Sequence, residues 1–146
     1  MTHSHTRIWV HLIWATKNRD RVLFKEPGKQ LFTFLIDKAK ELNAPFESLN
    51  IQPEHIHGLI DLPTNVCVAD FMKGIKGASS YWINQEGIIR AKFSWQRGYG
   101  AYSVSSSQLQ TIKNYIKNQD EHHQQKTFEE EYQEWKRQYG IHEDCC

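Results

Sequence analysis

The apolar residues of this chain switch between two periods as it runs, and the order of the switches limits the folds open to it. "RIWVHLIWAT", residues 7 to 16, is dense in β-branched and aromatic residues and predicts a buried strand. After Pro27-Gly28, the residues Leu31, Phe32, Leu35, Ile36, Ala39 and Leu42 recur at helical spacing, so an amphipathic helix should end near Asn43. "PFESLNIQPEHIHGLIDLP" predicts two short strands joined at Gln52 to Glu54, with Pro53 at the second position of a tight turn. Helical spacing returns from Val66 to about Trp82 in Val68, Phe71, Met72 and Ile75, against a cost of about 1 kcal/mol each for Gly74 and Gly77. Residues 91 to 105 predict a final strand in which Gly98 and Gly100 mark a bulge or bend. The sum is β-α-β-β-α-β, an α+β, ferredoxin-like arrangement in which an antiparallel sheet carries both helices on one face.

A tail follows. Ser107 with Gln110 fits a capping box that opens a helix through "QLQTIKNYIKNQDEHH", striped by Leu109, Ile112 and Ile116. Thr127 with Glu130 suggests a last helix over residues 128 to 140. With 146 residues, one domain over 1–146 is expected, its core at about 7–105 and a helical tail from 106. No apolar stretch approaches the roughly 20 residues of a membrane span, and "MTHSHTRIWV" lacks the apolar segment of a secretory signal. Cys67, Cys145 and Cys146 have no framework spacing. A cytoplasmic protein is expected. A net charge of +1 gives no global electrostatic case for nucleic acid, so any such case rests on local groups such as Lys17, Arg19 and Arg21 in "TKNRDR".

His55 and His57 lead the second of the two short strands and, two residues apart, must share one face of it. Two imidazoles side by side suit a divalent metal held through one nitrogen of each ring; the alternative is two histidines hydrogen-bonded near a turn. A third ligand has candidates in His3, His5, His11, His122, His123, His142, Cys67 or an oxygen donor. In "YIKNQ", Tyr115 and Gln119 lie one helical turn apart. A Gln carbonyl is a competent ligand for a hard metal, and the phenol one turn earlier would lie beside the same ion. Without the histidines, Tyr115 would read as a packing residue beside Ile112 and Ile116. With them, a cation could favour phenolate and polarise a phosphodiester, and an all-neutral ligand set leaves its double charge for the anionic phosphate.

"HIH" followed by "YIKNQ" resembles the HUH single-tyrosine transposases of small bacterial insertion sequences and the REP-associated tyrosine transposases. "HLIWATKNRDRVL" is similar to their first strand, "FMKGIKGASS" to their second helix, "WQRGYGAYSVS" to the strand before the tyrosine helix, and "YIKNQDEHH" to that helix. The resemblance implies a metal-dependent single-strand DNA endonuclease and strand transferase that recognises hairpin-bearing ends. Tyr115 would be the nucleophile, forming a 5'-phosphotyrosine, and His55, His57 and Gln119 would hold Mg2+ or Mn2+. It also implies a homodimer whose tyrosine helix can complete the partner's site. Lys17, Arg19, Arg21, Lys73, Lys76 and Arg97 are candidate phosphate contacts, and Trp95, Tyr99 and Tyr102 candidate stacking surfaces. His122 and His123 belong to the similar stretch with no catalytic role. Rival readings are a non-cutting DNA-binding regulator of the same fold, or a zinc hydrolase using the histidine pair.

Overall fold

A computed structural model describes residues 4–119 together with Glu130, Gln133, Glu134 and Arg137. Its elements run β1 (Trp9–Ala15), a 3-10 turn (Lys17–Arg19), α1 (Lys25–Glu41), β2 (Phe46–Ile51), β3 (His55–Asp61), α2 (Val68–Gln85), β4 (Gly100–Val104), a second 3-10 turn (Ser106–Gln108) and α3 (Leu109–Lys117). The four strands form one sheet in the order β2-β3-β1-β4, antiparallel at every pairing. This is the α+β, β-α-β-β-α-β order expected from the apolar periods.

Alternation along the strands divides the sheet into two faces. Val10, Leu12 and Trp14 of β1 and Ile56 and Ile60 of β3 face α1 and α2, where they join Leu31, Leu35, Phe71, Met72 and Ile75 in the main core. Full burial of each Leu or Ile there contributes about 1.5–3 kcal/mol. Gly58 is required between the two isoleucines, because a Cβ there would lie 2.6 Å from the Phe46 ring. That ring stacks on Trp14 and meets Phe71 edge-on. Gly74, a weak helix former, sits where Leu42 Cδ1 would be 3.0 Å from an added Cβ, so the missing side chain lets α2 approach the end of α1.

The helix boundaries differ from the sequence reading for local reasons. α1 starts at Lys25 and takes Pro27 into its first turn, where the amide that proline lacks would have no helical partner. It ends with Asn43 at φ 64°, the Asn43 amide on Lys40 O and the Ala44 amide on Ala39 O, which is a Schellman closure. The final strand is shorter than predicted. Residues 91–99 form a connection that touches the sheet through one bridge, Thr16 to Trp95, and β4 begins only at Gly100. Asn84 holds this connection by accepting from the Phe93 amide at 2.8 Å and donating to Phe93 O at 3.0 Å. The capping box at Ser107 does not form; a 3-10 turn opens α3, and Ser107 Oγ instead lies 3.1 Å from Ser105 Oγ. The Thr127 cap lies outside the described residues, as does most of the helix expected over 128 to 140, of which Glu130, Gln133, Glu134 and Arg137 are helical.

A candidate active site under the third helix

The sheet face opposite α1 and α2 carries Trp9, His11, Ile13 and Ala15 of β1 and His55, His57 and Leu59 of β3. The stripe Leu109, Ile112 and Ile116 lays α3 on this face against Leu59, Val104 and Trp9. Lys113 fixes the helix at its flank, with Nζ 2.8 Å from Glu47 Oε1 and 5.9 Å from the Trp9 ring centre. Tyr115 precedes the buried Ile116 by one residue, so its ring is turned to the edge of the stripe, where it packs with Ile13, Ala15 and Tyr102. It meets His57 edge-on at 5.8 Å between ring centres and His11 at 6.5 Å. The tyrosine thus reaches the histidines of its own chain. Gln119, one turn beyond, is fully buried and donates Nε2 to Tyr115 O at 3.3 Å.

His55 and His57 are fully buried, their ring centres 4.9 Å apart. Each is braced at Nδ1. Glu54 Oε1 lies 2.8 Å from His55 Nδ1, and the Glu54 carboxylate is flanked in turn by Arg21 at 3.6 Å. His11 Nε2 lies 3.0 Å from His57 Nδ1. Burial, and after it the neighbouring His57, push the His11 pKa well below its ordinary value. The shift favours a neutral His11, and in the tautomer with its Nε2 unprotonated it accepts the His57 Nδ1 proton. Both braces leave the Nε2 lone pair for ligation and fix each ring's orientation, the pattern that outer-shell partners give metal-bound histidines. His55 Nε2, His57 Nε2 and Gln119 Oε1 are buried atoms that make no hydrogen bond. Imidazole nitrogens and an amide oxygen are donors of the kind a divalent ion takes.

Among the described residues no group of three or more His, Cys, Asp or Glu side chains is arranged to hold a metal. Of the other third-ligand candidates, His11 is hydrogen-bonded to His57, His5 is exposed, and Cys67 caps α2, its Sγ accepting from the Asp70 amide at 3.4 Å. His3, His122, His123 and His142 lie outside the described residues. The bracing roles of Glu54 and His11 were missed by sequence reasoning. Glu54 was detectable as the acid adjoining the pair in "PEHIH". His11 was not, because its partnership depends on the pairing of β1 with β3.

The six candidate DNA-contacting cations divide. Lys17 and Arg19 are exposed on the turn after β1, Lys73 on α2, and Arg97 on the connection before β4. Arg21 pairs with Glu54, and Lys76 donates Nζ to Gln96 O at 2.8 Å and to Gly98 O at 2.7 Å, with its pKa lowered by burial. Trp95 is partly buried against Trp14 and Phe93, and donates Nε1 to Ser79 Oγ at 2.9 Å. Among the described residues no helix is long and apolar enough to cross a membrane.

Comparison with known proteins points to one family. The family model for IS200-like transposases matches residues 4–119. The ISDra2 transposase TnpA of Deinococcus radiodurans is 30% identical over 115 residues, spanning 75% of this chain and 81% of that protein. The transposase of insertion sequence IS200 from Salmonella typhimurium is 26% identical over 124 residues, spanning 82% and 81%. A crystal structure of a Deinococcus radiodurans R1 protein assigned as a transposase superposes with a TM-score of 0.67 at 28% identity, covering 82% of this chain and 95% of that one. A REP-associated tyrosine transposase bound to a REP hairpin shares the fold, with a TM-score of 0.62 at 16% identity over 84% of this chain and 74% of that one. The matched segment begins ahead of β1 and ends at Gln119, so it encloses the histidine pair, the helix that carries Tyr115 and the buried amide, and the chain belongs to the IS200-like transposase family.

Proposed function

We propose that this protein is a metal-dependent single-strand DNA endonuclease and strand transferase, cytoplasmic and homodimeric, that recognises hairpin-bearing single-stranded ends. The observation that carries the reading is the placing of Tyr115 edge-on to His57 under a helix that also buries Gln119. His55 Nε2, His57 Nε2 and Gln119 Oε1 would hold Mg2+ or Mn2+, which when bound neutralises charge on the phosphate and polarises it for attack. Glu54 and His11 keep the two imidazoles in the tautomer that ligation needs. Tyr115 Oη bonds to phosphorus as the bond from phosphorus to the 3'-oxygen breaks, giving a 5'-phosphotyrosine and a free 3'-hydroxyl. The phenol loses its proton to solvent, and the departing oxygen gains one. Attack by another 3'-hydroxyl reverses the step and joins strands: its oxygen bonds to phosphorus as the bond to Tyr115 Oη breaks and the phenol regains a proton, so the phosphotyrosine is exchanged for a phosphodiester with no external energy source. The REP hairpin held by the structural relative supports hairpin DNA as the ligand class.

The test is incubation of the protein with labelled single strands from both flanks of its own gene, with and without Mg2+ or Mn2+. A denaturant-resistant adduct that requires metal and is absent in Tyr115→Phe is expected. An adduct that persists in that variant removes Tyr115 as nucleophile. Metal binding with no adduct on any strand would favour the non-cutting regulator.

A further inference from the structure

Beside the histidines the sheet ends in a cavity of about 300 Å³, at the low end of ligand-sized clefts. One wall is β1, where Ile13 and Ala15 stand directly across from His57 and His55 on the same face. Residues so paired on neighbouring strands hold their Cβ atoms about 5 Å apart, and Ile13 also packs with Tyr115. The cavity therefore adjoins the candidate active site, with Ile13 and Ala15 between the two. The other wall is the connection before β4, which supplies Gln96, Arg97 and Tyr99, and Arg19 closes the rim.

Both walls are held in place by contacts that the catalytic proposal does not use. Lys76 reaches across from α2 to Gln96 O and Gly98 O. Gln96 Oε1 accepts from the Asn18 amide at 3.0 Å, which leaves its Nε2 group as the donor for a ligand. Asn18 and Arg19 both have positive φ, 58° and 54°, a conformation that L-residues rarely adopt in succession. Thr16 closes that turn, donating Oγ1 to Asp20 O at 2.7 Å. Gly100 keeps the base of the cavity low, since a Cβ there would lie 2.7 Å from Ile13 Cγ2 and from Tyr102.

Apolar strand residues, an aromatic face that is 41% exposed at Tyr99, an amide donor and two guanidinium groups suit a nucleobase better than a bare phosphate. We infer that this cavity seats one unpaired base of the DNA strand beside the phosphate presented to Tyr115. Tyr99 stacks on the base, and Gln96 and Arg97 read its edge. The inference rests on the single-strand DNA reading above and adds a subsite to it.

The test is binding without metal, in a chelator, of a dye-labelled flank strand carrying the hairpin and the cleaved junction. Each unpaired nucleotide is replaced in turn by an abasic residue. In the unmodified protein, abasic replacement at one position next to the cleaved bond should weaken binding about tenfold, the scale of one base–aromatic stack. In Tyr99→Ala the same replacement should cost nothing further, and in Tyr99→Phe the tenfold sensitivity should return. Arg97→Ala should reduce the preference among the four bases at that position only. Tolerance of every abasic position by a protein that still forms the tyrosine adduct would overturn the subsite and leave the cutting reading intact. So would a Tyr99→Ala defect equal on every strand, including an isolated hairpin. Absence of both binding and adduct would overturn the two readings together.

Discussion

The two faces of this one sheet are built to different rules. Facing α1 and α2, β1 and β3 present Val10, Leu12, Trp14, Ile56 and Ile60, all apolar and all inside one core. Facing α3, the same strands present His11, His55 and His57, buried to the same degree. Burying three imidazoles is tolerable only because each has a hydrogen-bonding partner, and those partners orient the rings. Strand alternation thus lets one segment, "HIHGLID", supply the apolar core with Ile56 and Ile60 and the candidate site with His55 and His57. The difference teaches that the two roles can be damaged separately.

The largest separation comes from Tyr115→Phe. The variant should form no DNA adduct at all while unfolding within about 0.5 kcal/mol of the parent, because the ring and its packing survive. Adduct yield on denaturing gels, set beside a denaturant melt, checks both halves. On the opposite face, Ile56→Ala should cost about 2–5 kcal/mol, since Ile56 is fully buried and its neighbours close the cavity only in part. Adduct yield per folded molecule should stay near the parent's. Loss of chemistry without loss of stability in Ile56→Ala would mean that the faces are not independent.

How much of this was open to sequence reasoning follows the same division. The core face was legible because apolar period depends only on neighbours along the chain, and the common face of His55 and His57 and the one-turn spacing of Tyr115 and Gln119 followed equally from local geometry. The early end of the final strand was not legible: "AKFSWQRGYG" has strand-forming aromatics, but Asn84 and Lys76 on α2 hold that segment in a connection. Nor was the brace on His57, which requires the register that sets Ile13 against His57 and brings His11 to the same ring. Residues whose partners lie on another element cannot be assigned from spacing alone.

The two braces differ, and that sharpens the comparison within the chemical face. Glu54 offers His55 a carboxylate, whereas His11 offers His57 a neutral ring. Glu54→Gln should lower metal affinity about 10- to 100-fold by weakening the basicity of His55, and His11→Gln should lower it less. Isothermal titration with Mn2+ decides the order. Equal losses would mean that the braces act by orientation alone. Gln119→Ala, which removes a neutral oxygen donor, should fall in the same range, and an unchanged affinity there would take the amide out of the ligand set.

The smallest expected effect is a pH slope in the metal-free protein. In the unfolded chain His11 titrates at about 6.5, and burial with the adjacent His57 holds the folded value well below that. Between the two values the unfolded chain binds this proton and the folded chain does not. Stability from this group is therefore complete above about pH 6.5 and is lost as pH falls towards the folded pKa, by at most about 1.4 kcal/mol per pH unit for one proton. In His11→Asn that proton is gone, so denaturant melts in chelator between pH 7 and pH 5 should show a slope flatter by up to that amount. An unchanged slope would assign the acid sensitivity to other groups, and the neutral state of His11, on which the bracing of His57 depends, would lose its support.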